Sequence, residues 1–327
     1  MNNQSLKIKL KANFPKIYFK SRDFYRFLKS QISFKIYSFL YRSTYYLTKK
    51  IYFNMHKVHI ETVGGCQIKC VGCPASTIYK KIKIMSVDDF NKCLKNINVP
   101  HIQILRLFNF GEPLLNPNID IMLMQIPKQS FTVDQVEIYT NGQYLNEKQL
   151  ESIFKTRVLH SLTVSCDGNG TPEDYEALRP PAKWDTLLRF FSKATELRDK
   201  YAPELILKSE TICDDMDGQK RWTEILQRYG WDINFRRFLL LPQAIRNKNL
   251  RSTKIPENAC SWLNHQYLFV NCDCNVVPCC AHPKAAILGN LKIQKYSDVL
   301  FGKKYKLFLK RLSKRKDVPI CNECGER

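Results

Sequence analysis

From residue 57 onward the chain alternates short apolar runs with segments that open on helix-start signals, and this alternation restricts the fold more than any other feature. Strands are expected at about 57–63, 101–108, 135–139, 161–165, 204–208 and 232–235. Between them, Asn116-Pro117 and Thr171-Pro172 each set a side-chain acceptor ahead of a proline suited to the first helical position. Asn146 followed by Gln149 reads as a capping box, and Ser86 followed by Asp89 as a weaker version. Six strand–helix units in this order imply an α/β fold with a parallel sheet and right-handed crossovers. Such a sheet closes naturally into a curved, partial barrel, with function gathered at the C-terminal ends of its strands. The barrel is expected over residues 57–241. A polar, proline-containing linker follows at 242–259, then a second unit at 260–327 with a hairpin near 267–277. In its final helix Phe301, Tyr305, Phe308 and Leu312 share one face.

Charge separates the first 56 residues from the rest. Of the formal net charge of +22, residues 1–50 carry 12 Lys/Arg and one acid, Asp23, interleaved with aromatics such as Phe14, Tyr18, Phe24 and Tyr37. Lys35, Arg42, Lys49 and Lys50 interrupt its longest apolar stretch, so a transmembrane helix is not expected. The segment is expected to be a basic helical extension packed on the barrel. Contact with an anionic membrane surface, an acidic partner or nucleic acid are its other readings. The expected location is cytoplasmic, with peripheral membrane attachment as one option.

Cysteine placement carries the chemistry. Ten of the 13 cysteines fall in three short stretches: Cys66, Cys70 and Cys73; Cys260, Cys272, Cys274, Cys279 and Cys280; and Cys321 with Cys324. A disulfide framework belongs to small secreted domains, whereas close-packed thiols in a reducing compartment usually hold metal. The first group, CxxxCxxC, follows the first expected strand after Gly64-Gly65. Its three thiols leave one coordination position open, whereas structural zinc and most cubanes take four protein ligands. A zinc site completed from a distance is the alternative.

This loop resembles the signature of the radical S-adenosylmethionine (SAM) superfamily, and the strand ends extend the likeness. Asn109-Phe110-Gly111-Glu112-Pro113 resembles the family's GGEP element, with Phe110 in place of its first glycine; Gly72 replaces an aromatic residue common before the third cysteine. Tyr139-Thr140-Asn141-Gly142 and Ser165-Cys166-Asp167-Gly168 end the next two strands, and Arg179 follows. The resemblance implies a partial (βα)6 TIM-like barrel. It also implies a SAM-binding 4Fe–4S cluster on Cys66, Cys70 and Cys73, and SAM contacts from Gly111, Glu112, Pro113, Asn141, Ser165 and Arg179. The C-terminal stretch, with Cys260, Val277-Pro278-Cys279, Gly289-Asn290-Leu291 and Cys321-x-x-Cys324, resembles the SPASM/twitch extension. Because the sequence ends three residues after Cys324, a four-cysteine form is expected. Cys260, Cys279, Cys321 and Cys324 would hold one auxiliary 4Fe–4S cluster, with Cys280 competing for Cys279's place.

The function implied by the resemblance is reductive cleavage of SAM to a 5′-deoxyadenosyl radical that abstracts hydrogen, in an oxidoreductase acting on a small or sugar-like metabolite. Its partners would be SAM, an electron donor such as flavodoxin or ferredoxin, and an unidentified substrate. A peptide-modifying maturase is the nearest alternative, and a zinc-bearing nucleic-acid-binding protein is the alternative of another class.

Overall fold

The computed structural model describes residues 51, 53–236, 241, 243, 260, 266–312 and 314–324. The basic extension, save Ile51 and 53–56, and the linker, save Gln243, lie outside them. Among the described residues eleven strands run in chain order as β1 (Met55–Ile60), β2 (Val63–Gly64), β3 (Lys83–Ile84), β4 (His101–Arg106), β5 (Thr132–Thr140), β6 (Ser161–Asp167), β7 (Ile206–Ile212), β8 (Asp232–Arg236), β9 (Tyr267–Val270), β10 (Asn275–Val277) and β11 (Gly289–Asn290). Nine of them form one open sheet in the order β11-β10-β9-β1-β4-β5-β6-β7-β8. From β9 to β8 every neighbouring pair is parallel; β10 and β11 are antiparallel.

Strand periodicity gives the sheet two unlike faces. Val58, Ile60, Leu105, Ile138, Leu162, Val164 and Leu207 are all at most 2% exposed and form the apolar face under the helices. Each such side chain contributes about 1.5–3 kcal/mol through burial. Helix Trp184–Tyr201 supplies Leu187, Phe190, Phe191, Ala194 and Leu197 to this core, all on its buried stripe. The alternate positions, including His59, Arg106, Tyr139, Ser165 and Glu210, face a cavity instead.

The helix starts follow the sequence signals with one exception. Ser86, Asn146 and Thr171 each accept from the backbone N–H three residues on. Asn116 does not cap: helix Ile119–Leu123 begins after Asn118. The Asn116 amide instead donates to the carbonyls of Thr62 and Met85, at 3.2 and 3.1 Å, bracing the loop after β1.

The larger surprise is the hairpin. Instead of forming a sheet of its own, β9 pairs in parallel with β1, Lys57 opposite Tyr267 and Ile60 opposite Val270. The C-terminal unit thus covers the barrel's first edge. It is fastened again where the Asn98 and Ser297 side chains meet at 3.0 Å and the Asn96 amide reaches the Leu291 carbonyl at 2.7 Å. No helix among the described residues is long and apolar enough to cross a membrane.

Candidate active site

The loop from Gly65 to Pro74 leaves the C-terminal side of the sheet and carries Cys66, Cys70 and Cys73 to the wall of one cavity of about 440 Å³. Its course is fixed by backbone bonds to a neighbouring loop: Lys69 N–H to the Pro180 carbonyl at 2.6 Å and Val71 N–H to that of Leu178 at 2.8 Å. Gly72 stands at φ +86°, a left-handed conformation natural to glycine, which accounts for its place before the third cysteine. Burial, then the Glu112 carboxylate, pushes the Cys66 thiol up to about 11. Burial, then the nearby Cys70, pushes Cys73 up to about 12. Burial raises Cys70 too, while the Arg179 guanidinium opposes it. Thiols held this firmly in the protonated form become thiolates when a metal takes the proton's place.

The expected strand-end residues meet at this cavity. Gly111, Glu112, Asn141, Ser165 and Arg179 all line it, while Pro113 is buried behind it at the start of a short 3-10 turn. A side chain at 111 is impossible without rearrangement, because a Cβ would lie 1.7 Å from the Val63 carbonyl oxygen. The loop containing Gly111 therefore lies directly on the cysteine loop, joined by the Glu112 N–H to the Gly65 carbonyl at 3.2 Å. Phe110 tucks its ring against Ala75 and Ile78 of the helix after Cys73. Glu112 is turned inward and accepts from Thr140 Oγ1 at 2.8 Å and the Asn141 N–H at 2.7 Å. Burial raises its carboxyl to about 7. The Asn141 amide donates to Cys66 Sγ at 3.2 Å. Arg179, 5% exposed, pairs with Asp167 through Nη1, and its Nε has no hydrogen-bond partner.

The C-terminal thiols form a second group. Burial, then Cys280 and then Cys260, raises the Cys279 thiol, and burial, then Cys260, raises Cys321, with Arg315 opposing and Cys324 adding a little. Cys280 lines the first cavity, whereas its neighbour Cys279 does not. Cys272 and Cys274 are buried; Cys272 packs against Gly64 and Tyr79, and Cys274 lies beside Cys93, itself fully buried on helix Val87–Asn96.

Three residues escaped the sequence reading. Glu61, fully buried, accepts from the Tyr79 hydroxyl, from the Phe110 N–H at 2.9 Å and from the Cys272 N–H at 3.3 Å. It ties the end of the helix after the cysteine loop, the Gly111 loop and the C-terminal hairpin to one carboxyl. Arg315, 1% exposed, donates to the carbonyls of Cys321 and Cys324 at 3.1 and 2.8 Å, clamping the CxxC turn. His59 lines the cavity 4% exposed, and neither ring nitrogen has a partner. A lone acid, arginine or histidine has no spacing signal, and only the first, an acid closing an apolar strand, hinted at its role.

Comparison with known proteins places these features. Residues 60–214 match the family model of the radical SAM superfamily, and residues 260–325 match SPASM, an iron–sulfur cluster-binding domain. Two solved structures of anSMEcpe share the fold. One, with bound AdoMet and the Cp18Cys peptide, is 15% identical with a TM-score of 0.56 over 83% of this chain and 90% of that one. The other, with AdoMet, is 15% identical with a TM-score of 0.55 over 83% and 91%. No curated protein matches the sequence.

Proposed function

We propose that this chain, which belongs to the radical SAM superfamily and ends in a SPASM domain, cleaves SAM reductively and oxidises a small hydroxylated metabolite. The observation that carries this reading is a single cavity lined by all three thiols of the CxxxCxxC loop, by the strand-end polar groups and by Cys280 from the C-terminal unit. The family's cofactors are a 4Fe–4S cluster with SAM and auxiliary iron–sulfur, and the residues present suit them. Three thiols from one short loop on the wall of one cavity are the donor set such a cluster takes, one to each of three irons.

In this reading Cys66, Cys70 and Cys73 hold the SAM-binding cluster, and Cys260, Cys279, Cys321 and Cys324 hold one auxiliary cluster. When bound, cluster and SAM supply a 5′-deoxyadenosyl radical for hydrogen abstraction. The chain's own work is positioning. Gly111 lets its loop lie on the cysteine loop, and its backbone at the cavity wall is offered to SAM's amino group. Arg179, on the cavity wall and paired with Asp167 through Nη1, offers a guanidinium for the carboxylate. Asn141 orients Cys66, and Ser165 offers a hydroxyl at the neighbouring strand end. Glu112 braces the floor beneath these groups rather than meeting SAM, since its oxygens are taken by Thr140, Asn141 and Leu114.

The test is anaerobic reconstitution with iron and sulfide, then SAM and dithionite, with 5′-deoxyadenosine quantified by chromatography. The wild type should form it and a Cys66→Ala/Cys70→Ala/Cys73→Ala variant should not. A wild type that binds zinc and forms none would sink the reading.

A further inference from the structure

Helix Lys303–Leu312, which leads into the CxxC turn, has two unlike faces. Tyr305, Phe308 and Leu312 are buried on one, and Cys260 and Cys321 pack against the same core. Burial, then the Cys260 thiol, raises the Tyr305 hydroxyl. Just past the helix, buried Arg315 holds the carbonyls of Cys321 and Cys324. The inner face therefore lies toward the C-terminal thiols, and the outer face is one helix diameter away, about 10–12 Å.

The outer face is cationic. Lys303, Lys304, Lys306, Lys310, Arg311 and Lys314 are exposed, and helical periodicity sets them around Leu307, itself 50% exposed. No acidic residue stands between Asp298 and Asp317. On the barrel helices, by contrast, Lys92 pairs with Asp88 and Lys193 with Glu196, each at 2.6 Å. Here like charges fall at neighbouring positions of one face, Lys303 with Lys306 and Lys306 with Lys310, which destabilises the helix. Lys303 and Lys304 also stand in its first turn, which holds no acid, against the helix dipole. An anionic surface laid on this face relieves both costs.

The form of the face narrows the choice of anion. A helix that settles into a membrane interface needs an apolar stripe to bury, and this one has its stripe in the core, leaving Leu307 alone outside. Single-stranded nucleic acid stacks on exposed aromatic rings, and Tyr305 and Phe308 are turned inward. An apolar centre ringed by charge is instead the pattern of a protein interface. At about 15 Å long, the face suits the small, transient contacts of electron carriers. We propose that the outer face of helix Lys303–Leu312 is the docking surface for an acidic, flavin- or iron–sulfur-bearing electron-carrier protein that serves the auxiliary cluster. One electron passes from the reduced carrier to the oxidised cluster, and no bond forms or breaks. The proposal rests on the preceding reading in taking Cys260, Cys279, Cys321 and Cys324 as that cluster's ligands.

The test is calorimetric titration of the reconstituted full chain with a flavodoxin and with a plant-type ferredoxin, both acidic. Double-stranded DNA and anionic lipid vesicles are titrated beside them. At least one carrier should bind at about 50 mM salt and weaken about tenfold or more at about 300 mM. Lys303→Glu/Lys304→Glu/Arg311→Glu should weaken that binding about tenfold or more. It should melt no lower than the wild type, since two acids now stand in the helix's first turn. Lys128→Glu/Lys148→Glu/Lys220→Glu removes the same charge from exposed lysines of the barrel domain and should bind the carrier as the wild type does. No binding by either carrier at low salt, or equal weakening in the two triple variants, would overturn the docking surface. So would tighter binding of DNA or vesicles through Lys303, Lys304 and Arg311. Formation of 5′-deoxyadenosine with dithionite by the same preparation would in each case leave the radical SAM reading standing.

Discussion

At the scale of single residues, the site is held by groups with no alternative. Gly111 is the plainest: Gly111→Ala would drive a methyl into the Val63 carbonyl, backbone against backbone, with no side chain to swing aside. A loss of about 3 kcal/mol or more is expected, read as a lowered melting temperature together with poor cluster loading, since the displaced loop supports Cys66. Glu61 gives a pH signature. Burial raises its carboxyl from 4.5 to about 7, against the pull of its Tyr79, Phe110 and Cys272 donors. The folded chain then binds more protons than the unfolded one between those values, so the contribution is complete below about pH 4.5 and lost as pH rises through about 7. Ionised, the buried carboxyl costs about 3 kcal/mol. Glu112, raised to about 7 by burial, acts with the same sign. Melting temperature should fall between pH 5 and pH 8, and less steeply in Glu61→Gln; an equal slope in the two proteins would refute the assignment.

At the scale of elements, the two cysteine loops were legible for different reasons than the residues that brace them. CxxxCxxC announces itself by spacing, and the six strands by their apolar runs between caps, because both are local patterns. Arg315 lies six and nine residues before the cysteines whose carbonyls it clamps, and an arginine bonded to backbone leaves no mark on its partners' identities. The Asn116 signal misled because its side chain found better partners in Thr62 and Met85, 54 and 31 residues away. The clamp makes a prediction of its own. Arg315→Leu leaves two buried carbonyls unsatisfied and frees the turn, so auxiliary iron should be lost while the Cys66–Cys70–Cys73 cluster remains. Iron per chain would drop and 5′-deoxyadenosine would still form. Unchanged iron in that variant would mean the turn holds itself.

At the scale of the whole molecule, the pairing of β9 with β1 decides how the two matched domains behave. Sequence could not reveal it, because the register between strands 210 residues apart is set by packing, not by any local pattern. The consequence is cooperative. An uncovered β1 would present a free row of N–H and C=O groups beside the cysteine loop. The covering strand is also anchored through Leu268, Phe269 and Val270, each at most 2% exposed. Leu268→Ala, far in sequence from the CxxxCxxC loop, should cost about 2–5 kcal/mol. Because the strands share one sheet, that loss should appear in the melting of the barrel itself. Circular dichroism at 222 nm and cluster absorbance near 400 nm should shift together to one lower temperature, in the variant as in the wild type. Were the C-terminal unit an independent body, the variant would lose auxiliary absorbance early while the barrel's helical signal melted at its original temperature. Coincident transitions would instead establish that the C-terminal unit, whose Cys280 lines the cavity, unfolds together with the barrel whose edge it covers.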